Sequence, residues 1–210
     1  IENIGIITLG LGIGLWGQIA HQELAALIGY AGALLHVFNH AVFKGLLFLS
    51  AGSVIRSTGT GEIDRLGGLL KRLPWTGHFF LVGSLAICGL PLFNGFVSEW
   101  LVYRALFEGM FHFELNGIVL SSLAVISLAL IGGLAAACFA KAFGAIFLGN
   151  SRSIDITRVK ENSALMCVPM AVLGGICAWV GLFPSVMVSF ALGAAAAMTS
   201  SPVSSATEGV

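Results

Sequence analysis

The stretch HVFNHAVFKGLLFL, residues 36–49, carries two histidines and a lysine within a strongly apolar segment. His36, His40 and Lys44 are each four residues apart, so on a helix they lie on nearly the same face, about one turn from each other. An ionisable side chain at the centre of a bilayer costs at least about 2.5–3.5 kcal/mol on insertion scales. The solvent around this helix therefore decides whether the three side chains need a functional explanation.

The composition indicates an integral membrane protein. The chain has 210 residues, of which 57% are hydrophobic and 10% are charged, whereas a soluble domain carries roughly 25% charged residues. The formal net charge is zero, so no basic surface points to nucleic acid as a partner. The expected surroundings are the lipid bilayer.

The apolar runs predict an all-α, polytopic bundle of transmembrane helices. A helix needs about 20 apolar residues to cross the hydrocarbon core, which gives about five spans, one of them a broken helix. The predicted spans cover about 4–20, 24–56, 75–108, 117–149 and 164–184. Together they form one transmembrane domain over residues 1–198, followed by a disordered tail over 199–210.

The charges in the connections predict the orientation of the bundle. The basic residues outside the apolar runs fall mainly in two loops, 57–74 and 150–163, whereas the loops near 17–23 and 109–116 contain no Lys or Arg. Basic loops of membrane proteins face the cytoplasm. We therefore expect a multi-pass protein of a bacterial or archaeal inner (plasma) membrane with both basic loops in the cytoplasm.

The opening motif has the chemistry of a proton relay. Histidine gains and loses a proton near neutral pH, and a desolvated lysine also exchanges its proton more readily. Lys44 lies too deep in the span to reach an interface, and Asn39 adds a hydrogen-bonding group beside the histidines. The alternative is that these polar groups only tie neighbouring helices together.

A second candidate segment interrupts the third span. The sequence CGLPLFNGFVSEW, residues 88–100, contains Gly89, Pro91 and Gly95, with Glu99 just beyond. Proline removes a backbone donor and disturbs the preceding turn, and broken helices at membrane depth line ion pathways in transporters. Glu99 is thus a candidate proton acceptor; the alternative is an interfacial carboxylate paired with Arg104.

Other polar residues give weaker signals. Lys141 in the fourth span is a candidate for a secondary relay, or its side chain extends to the interface. The four cysteines stand singly in apolar runs, so neither a metal site nor a thiol redox motif is indicated. The sequence contains no haem, flavin or cluster motif, and no cofactor is expected.

Three ordered motifs resemble one known family. The stretches HVFNHAVFKGLLFLSAGSVI, DRLGGLLKRLPWT and GLPLFNGFVSEWL are similar to the antiporter-like subunits of complex I and of membrane-bound hydrogenases. The glutamate at position 99 resembles the hydrogenase-type branch, since many relatives have lysine there. The opening IENIGI resembles the helix that precedes the histidine–lysine helix in this family.

The resemblance implies a fold, a function and partners. It implies the second repeat of an inverted-repeat fold, in the C-terminal portion of a longer subunit. His36, His40 and Lys44 would form a relay, and Glu99 would be the terminal ionisable group on the broken helix. The implied function is proton translocation, with sodium as an alternative ion. The implied partners are other membrane subunits of a hydrogenase or complex I-like assembly. The resemblance implies no redox centre in this chain.

Two other functions are compatible with the sequence. One is a monovalent cation/proton antiporter subunit, which shares the same motifs. The other is a non-conducting structural remnant that holds a complex together. The first is distinguished by sodium-dependent proton exchange without a redox donor, and the second by indifference to replacement of Lys44 and Glu99.

Overall fold

A computed structural model describes residues 2–112 and 115–199, and all of the regular structure in these two ranges is helical. Seven α-helices follow one another: α1 (Glu2–Ile19), α2 (Glu23–Thr58), α3 (Pro74–Ile87), α4 (Asn94–His112), α5 (Leu115–Phe147), α6 (Ala164–Leu182) and α7 (Pro184–Thr199). Three short 3₁₀ turns lie in the connections: Ile63–Arg65, Leu69–Lys71 and Ile156–Arg158. The all-helical fold predicted from the sequence is confirmed.

Helix α2 is the central element of the bundle. It has 36 residues, a length of about 54 Å, and it packs against α1, α3, α4, α6 and α7. Two apolar cores form along it. One joins the first half of α2 to α1, α4 and α7, and the other joins its second half to α3, α5 and α6. Residues on α2 are thereby brought close to most other helices.

Helices α1 and α2 form a close antiparallel pair because glycines line their contact. A Cβ added to Gly29 would lie 2.7 Å from the backbone nitrogen of Gly14, and one added to Gly17 would lie 2.6 Å from that of Ala26. Only small residues allow backbones to approach so closely, as is common between membrane helices. The glycine-rich start of the chain is therefore a packing surface for α2.

The predicted interruption of the third span is observed between α3 and α4, but glycine ends α3 before proline is reached. Gly89 adopts a left-handed conformation, with φ of +62°. Its N–H donates to Ala86, and the N–H of Leu90 donates to Leu85, which is the hydrogen-bond pattern of a Schellman motif. The helix thus stops at Ile87, four residues before Pro91. Of the three residues that the sequence named for the break, Gly89 is the one that ends α3.

The two basic loops contact each other at one end of the bundle. The N–H of Gly68 donates to Leu148 at 2.9 Å, and Arg152 donates to the carbonyls of Ile63 and Leu66, each at 3.2 Å. In the second loop Glu161 accepts hydrogen bonds from the first backbone N–H groups of α3. The connections 57–74 and 150–163 therefore form one joined surface.

Three helices of the described residues are long and apolar enough to cross a membrane: α2, α5 and α6. α5 exposes a row of large apolar side chains, Leu123, Ile126, Leu130 and Leu134, as a helix in contact with lipid does. The chain is a multi-pass membrane protein, while the count of five spans stays a prediction. Of the predicted tail, Thr199 ends α7, and residues 200–210 lie outside the described residues.

Candidate functional site

His36 joins three helices through its ring. The side chain is fully buried, and its two nitrogens reach different helices. Nδ1 lies 2.9 Å from Oγ of Ser98 on α4, and Nε2 lies 3.1 Å from Oδ1 of Asn3 on α1. Both nitrogens of a buried polar ring therefore have a hydrogen-bond partner, as such groups require.

A pair of asparagines fixes the start of α4 against α2 beside this histidine. Asn39 donates from Nδ2 to the backbone carbonyl of Asn94 at 2.7 Å and to Oγ of Ser98 at 3.0 Å. Asn94 donates in return from its own Nδ2 to Oδ1 of Asn39 at 3.2 Å. Both asparagines are fully buried. Because α4 begins at Asn94, the pair attaches one edge of the helix break to the histidine helix.

One atom of this pair is unsatisfied. Oδ1 of Asn94 is buried and has no hydrogen-bond partner among the residues that the structure describes. Its amide orientation is fixed, since the opposite orientation would bring two acceptor oxygens together at Asn39. A buried acceptor oxygen without a partner is a place where a water molecule donates a hydrogen bond or a cation is coordinated.

His40 and Lys44 continue the stripe along α2 toward a less buried flank. Both side chains are half-buried, whereas His36 is enclosed. The Phe43 ring meets both histidines edge to face, with ring centroids 6.2 Å from His36 and 5.7 Å from His40. Within the described part of the chain, Lys44 has no hydrogen bond or ion pair. Its ammonium is thus available to a group that approaches from that flank.

Glu99 lies over the helix break, as the sequence suggested. Its carboxylate lies against Gly89, and a Cβ added to Gly89 would overlap it. Only glycine therefore leaves room for the carboxylate at this position. Gly95 packs against the Ala86 carbonyl, and Pro91 is exposed within the break. Arg104, the alternative partner considered for Glu99, lies 3.6 Å from Glu108 instead. The structure therefore brings Glu99 to the break and leaves it without an ion pair among the described residues.

The sequence interpretation missed a second acidic residue near the site, Glu2. Along the antiparallel pair, Gly17 contacts Ala26, and Asn3 contacts His36. The two helices run in opposite directions, so residues nearer the start of α1 lie beside residues nearer the end of α2. Glu2 precedes Asn3, and it therefore lies beyond His36 along α2, near the level of His40. Its carboxylate interacts electrostatically with Lys44 and with Glu99. An acidic residue in the first turn of an apolar helix was the signal that could have identified it.

Asn3 and Ser98 were also missed. Neither residue stands out in the sequence, since a single asparagine or serine in an apolar helix is common. Ser98 is 62 positions away from His36, and no local pattern predicts this contact. Only the packing of α1 and α4 on α2 brings them together.

Lys141, the candidate secondary relay residue, is not part of this cluster. It is exposed on α5, and no hydrogen bond or ion pair joins it to another described residue.

No group of three or more His, Cys, Asp or Glu side chains that could hold a metal ion occurs in the part of the chain described by the structure. The cluster is suited to holding and passing protons.

Comparison with known proteins gives related sequences over the whole chain. Hydrogenase-4 component B of Escherichia coli (strain K12) is 38% identical over 100% of this chain and 31% of its own length. Formate hydrogenlyase subunit 3 of the same strain is 40% identical over 86% of this chain and 30% of its own. Na⁺/H⁺ antiporter subunit A1 of Staphylococcus saprophyticus is 32% identical over 89% of this chain and 24% of its own. The chain thus spans under a third of the length of these relatives.

Solved structures share the fold. A chain of the Mrp complex from Dietzia sp. DQ12-45-1b matches with a TM-score of 0.67 at 18% identity, over 93% of this chain and 46% of that chain. A chain of respiratory complex I from Thermus thermophilus matches with a TM-score of 0.60 at 23% identity, over 95% and 44%. The antiporter-like fold inferred from the motifs is confirmed.

The family pattern described as NADH:quinone oxidoreductase/Mrp antiporter, TM, matches residues 11–127. This range includes all of α2 and the whole helix break. The chain belongs to the NADH:quinone oxidoreductase/Mrp antiporter transmembrane family.

Proposed function

We propose that this chain is a proton-translocating part of a membrane-bound hydrogenase or NADH:quinone oxidoreductase-like complex. The relay consists of His36, His40, Lys44 and Glu99. The observation that carries the proposal is the position of His36, fully buried and hydrogen-bonded to α1 and α4 beside the helix break. The related hydrogenase-4 and formate hydrogenlyase subunits support this type of complex.

The order of the relay follows the burial of its groups. Lys44 and His40 occupy the half-buried flank of α2, and Glu2 lies at the same level on α1 with an opposite charge. His36 leads inward from them to α4, where Glu99 lies against Gly89. A proton that moves between the lysine and the glutamate therefore stays among groups that hydrogen-bond or titrate. Lys141 has the role of a secondary site at most, because it is exposed on α5.

The proposed partners are other membrane subunits of such a complex, in the inner membrane of a bacterium or archaeon. We further propose that the joined loops 57–74 and 150–163 face the cytoplasm. The hydrogen bonds between the loops support a common side for both, and their basic residues support the cytoplasmic side. In this proposal electron transfer takes place in other subunits of the assembly, and this chain contributes to proton transfer.

The test is proton translocation by membrane vesicles that contain the complete protein in its native assembly, followed together with redox turnover. Lys44→Met removes the central charge of the relay, and Lys71→Met removes an exposed charge of the loop as a control. We expect translocation to be lost in the first variant and kept in the second. Unchanged translocation with Lys44→Met in an assembled complex contradicts the relay and favours a structural role.

A second candidate function is a monovalent cation/proton antiporter. An antiporter subunit among the relatives favours it, and Oδ1 of Asn94 at the helix break is a buried carbonyl oxygen, the kind of group that coordinates Na⁺ at broken helices of transporters. Sodium-dependent proton exchange without a redox donor, reduced by Asn94→Leu, supports the antiporter. Proton movement that depends on redox turnover and not on sodium supports the hydrogenase-type function.

A further inference from the structure

We propose that the Ser98 hydroxyl is a positioning group that allows His36 to take up and release a proton without movement of any non-hydrogen atom. The inference rests on the proposed relay function and extends it to a residue outside the titratable set. It begins from the hydrogen-bond partners of the two ring nitrogens and of the hydroxyl that meets one of them.

The contact with Asn3 determines which nitrogen of His36 always carries a hydrogen. In the structure Nε2 faces Oδ1 of Asn3 at 3.1 Å, and because that oxygen is an acceptor we assign a hydrogen to Nε2. The neutral ring then has no hydrogen on Nδ1. Proton uptake occurs at Nδ1, the nitrogen that faces Ser98.

The Ser98 hydroxyl has a second acceptor within reach. Its oxygen lies 2.9 Å from Nδ1 of His36 and 3.1 Å from the backbone carbonyl oxygen of Gly95. When His36 is neutral, the hydroxyl donates to Nδ1. When one proton is added to Nδ1, the ring donates to the hydroxyl oxygen, and the hydroxyl turns its own hydrogen to the Gly95 carbonyl. The serine keeps its proton in both states.

The hydrogen bonds remain complete in the charged state. A hydroxyl accepts two hydrogen bonds and donates one. Oγ of Ser98 accepts from Asn39 at 3.0 Å and from protonated Nδ1, and it donates to Gly95. The cation is thus solvated by oriented groups in place of water, which reduces the cost of its burial.

The charged groups around His36 come from three helices. They are Glu2 on α1, His40 and Lys44 on α2, and Glu99 on α4. Arg104 and Glu108 pair with each other further along α4, and α7 contains no titratable residue. Since Ser98 precedes Glu99 directly, the turning hydroxyl is on the helix that carries the terminal carboxylate.

The first test is the protonation pattern of His36 in the complete protein. Solid-state NMR of ¹⁵N-histidine-labelled protein, with the His36 signals assigned by their loss in His36→Gln, reports the hydrogen on each nitrogen. We expect a neutral ring with hydrogen on Nε2 and an unprotonated Nδ1. A neutral ring with hydrogen on Nδ1 overturns the inference, whatever the transport activity of the protein.

The second test compares serine variants in vesicles from about pH 5 to pH 9. Ser98→Ala leaves Nδ1 of protonated His36 without a hydrogen-bond partner. We therefore expect proton translocation to fall by about tenfold or more and its pH dependence to shift toward more acidic pH. Ser98→Thr keeps a hydroxyl and restores both properties. Ser84→Ala is the control, because Ser84 is a buried helical serine whose hydroxyl donates to the Phe80 carbonyl of its own helix.

The two proposals fail in different ways. An unchanged pH profile in an assembled Ser98→Ala complex, equal to that of Ser84→Ala, overturns the role of Ser98 and leaves the relay intact. Loss of translocation in Ser98→Thr as well as in Ser98→Ala also overturns it, since the hydroxyl is then not the group that matters. Normal translocation in Lys44→Met contradicts the relay itself, independently of these variants.

Discussion

The Cα of Gly95, the second residue of α4, lies directly against the backbone carbonyl of Ala86 in α3, so the two halves of the broken helix meet through their backbones. Any side chain at position 95 separates them. We expect Gly95→Ala to destabilise the protein by about 2 kcal/mol, a typical cost of overpacking in a tight contact. The midpoint of thermal unfolding in detergent measures the change.

Gly132→Ala is the matched control for this substitution. Gly132 lies within α5, and nothing in the described structure comes within 4 Å of a Cβ added there. Alanine is a better helix former than glycine by about 1 kcal/mol, so the control should be neutral or slightly more stable. Equal unfolding temperatures for the two variants would show that the two half-helices do not depend on this contact.

Gly89 combines a left-handed backbone with contact to the carboxylate of Glu99. Gly89→Ala places a methyl group where that carboxylate lies, so we expect loss of proton translocation in addition to backbone strain of about 1–2 kcal/mol. Gly59→Ala is the control. Gly59 has a similar φ of +73°, but no described residue beyond its immediate chain neighbours and its own helix comes within 4 Å of an added Cβ. Vesicle translocation, normalised to assembled protein, should fall in the first variant and persist in the second.

Much of the fold could be predicted because its determinants are local. Apolar run lengths give the helices, and the four-residue spacing of His36, His40 and Lys44 gives a common face on α2. The position of Glu99 next to the helix break could be read for the same reason, since glycines and a proline interrupt the run beside it; its role in proton transfer stays a prediction. The family is confirmed by its match to residues 11–127.

The missing parts of the site depend on contacts between distant segments. Asn3 and Ser98 contact His36 only because α1 and α4 pack on α2, and no periodicity in the sequence predicts those two contacts. The sequence marked Gly89, Pro91 and Gly95 as the interruption but did not indicate which of them ends α3. In the structure α3 ends before Gly89, which adopts a positive φ without steric cost. Pro91 follows in the connection, outside the helix.

Glu161 anchors the first turn of α3 from the second basic loop. Its carboxylate accepts from the N–H groups of Trp75 and Thr76, and from the Thr76 hydroxyl at 2.6 Å. Because a carboxylate at a helix N-terminus satisfies free donors and the helix dipole, we expect Glu161→Ala to cost about 1–2 kcal/mol. Thermal unfolding in detergent is the measurement. Glu62→Ala, at an exposed loop residue, should leave the midpoint unchanged, and a similar drop in both variants argues against the anchor.

Glu2 on α1 interacts electrostatically with Lys44 on α2. Glu2→Gln keeps the size of the side chain and removes this charge, so the lysine loses its electrostatic partner. We expect proton translocation to fall about tenfold, equivalent to ~1.4 kcal/mol, while assembly is preserved. Vesicle assays with redox turnover followed in parallel measure both effects.

Glu23→Gln is a close control for that substitution. Both replacements keep the size of a glutamate side chain and remove one negative charge from the α1–α2 pair, at Glu2 of α1 and at Glu23 of α2. Glu23 is exposed at the opposite end of the α1–α2 pair, away from the relay. A selective loss in Glu2→Gln therefore reports the charge beside Lys44. An equal loss in both variants would show that the effect is not specific to the charge beside Lys44.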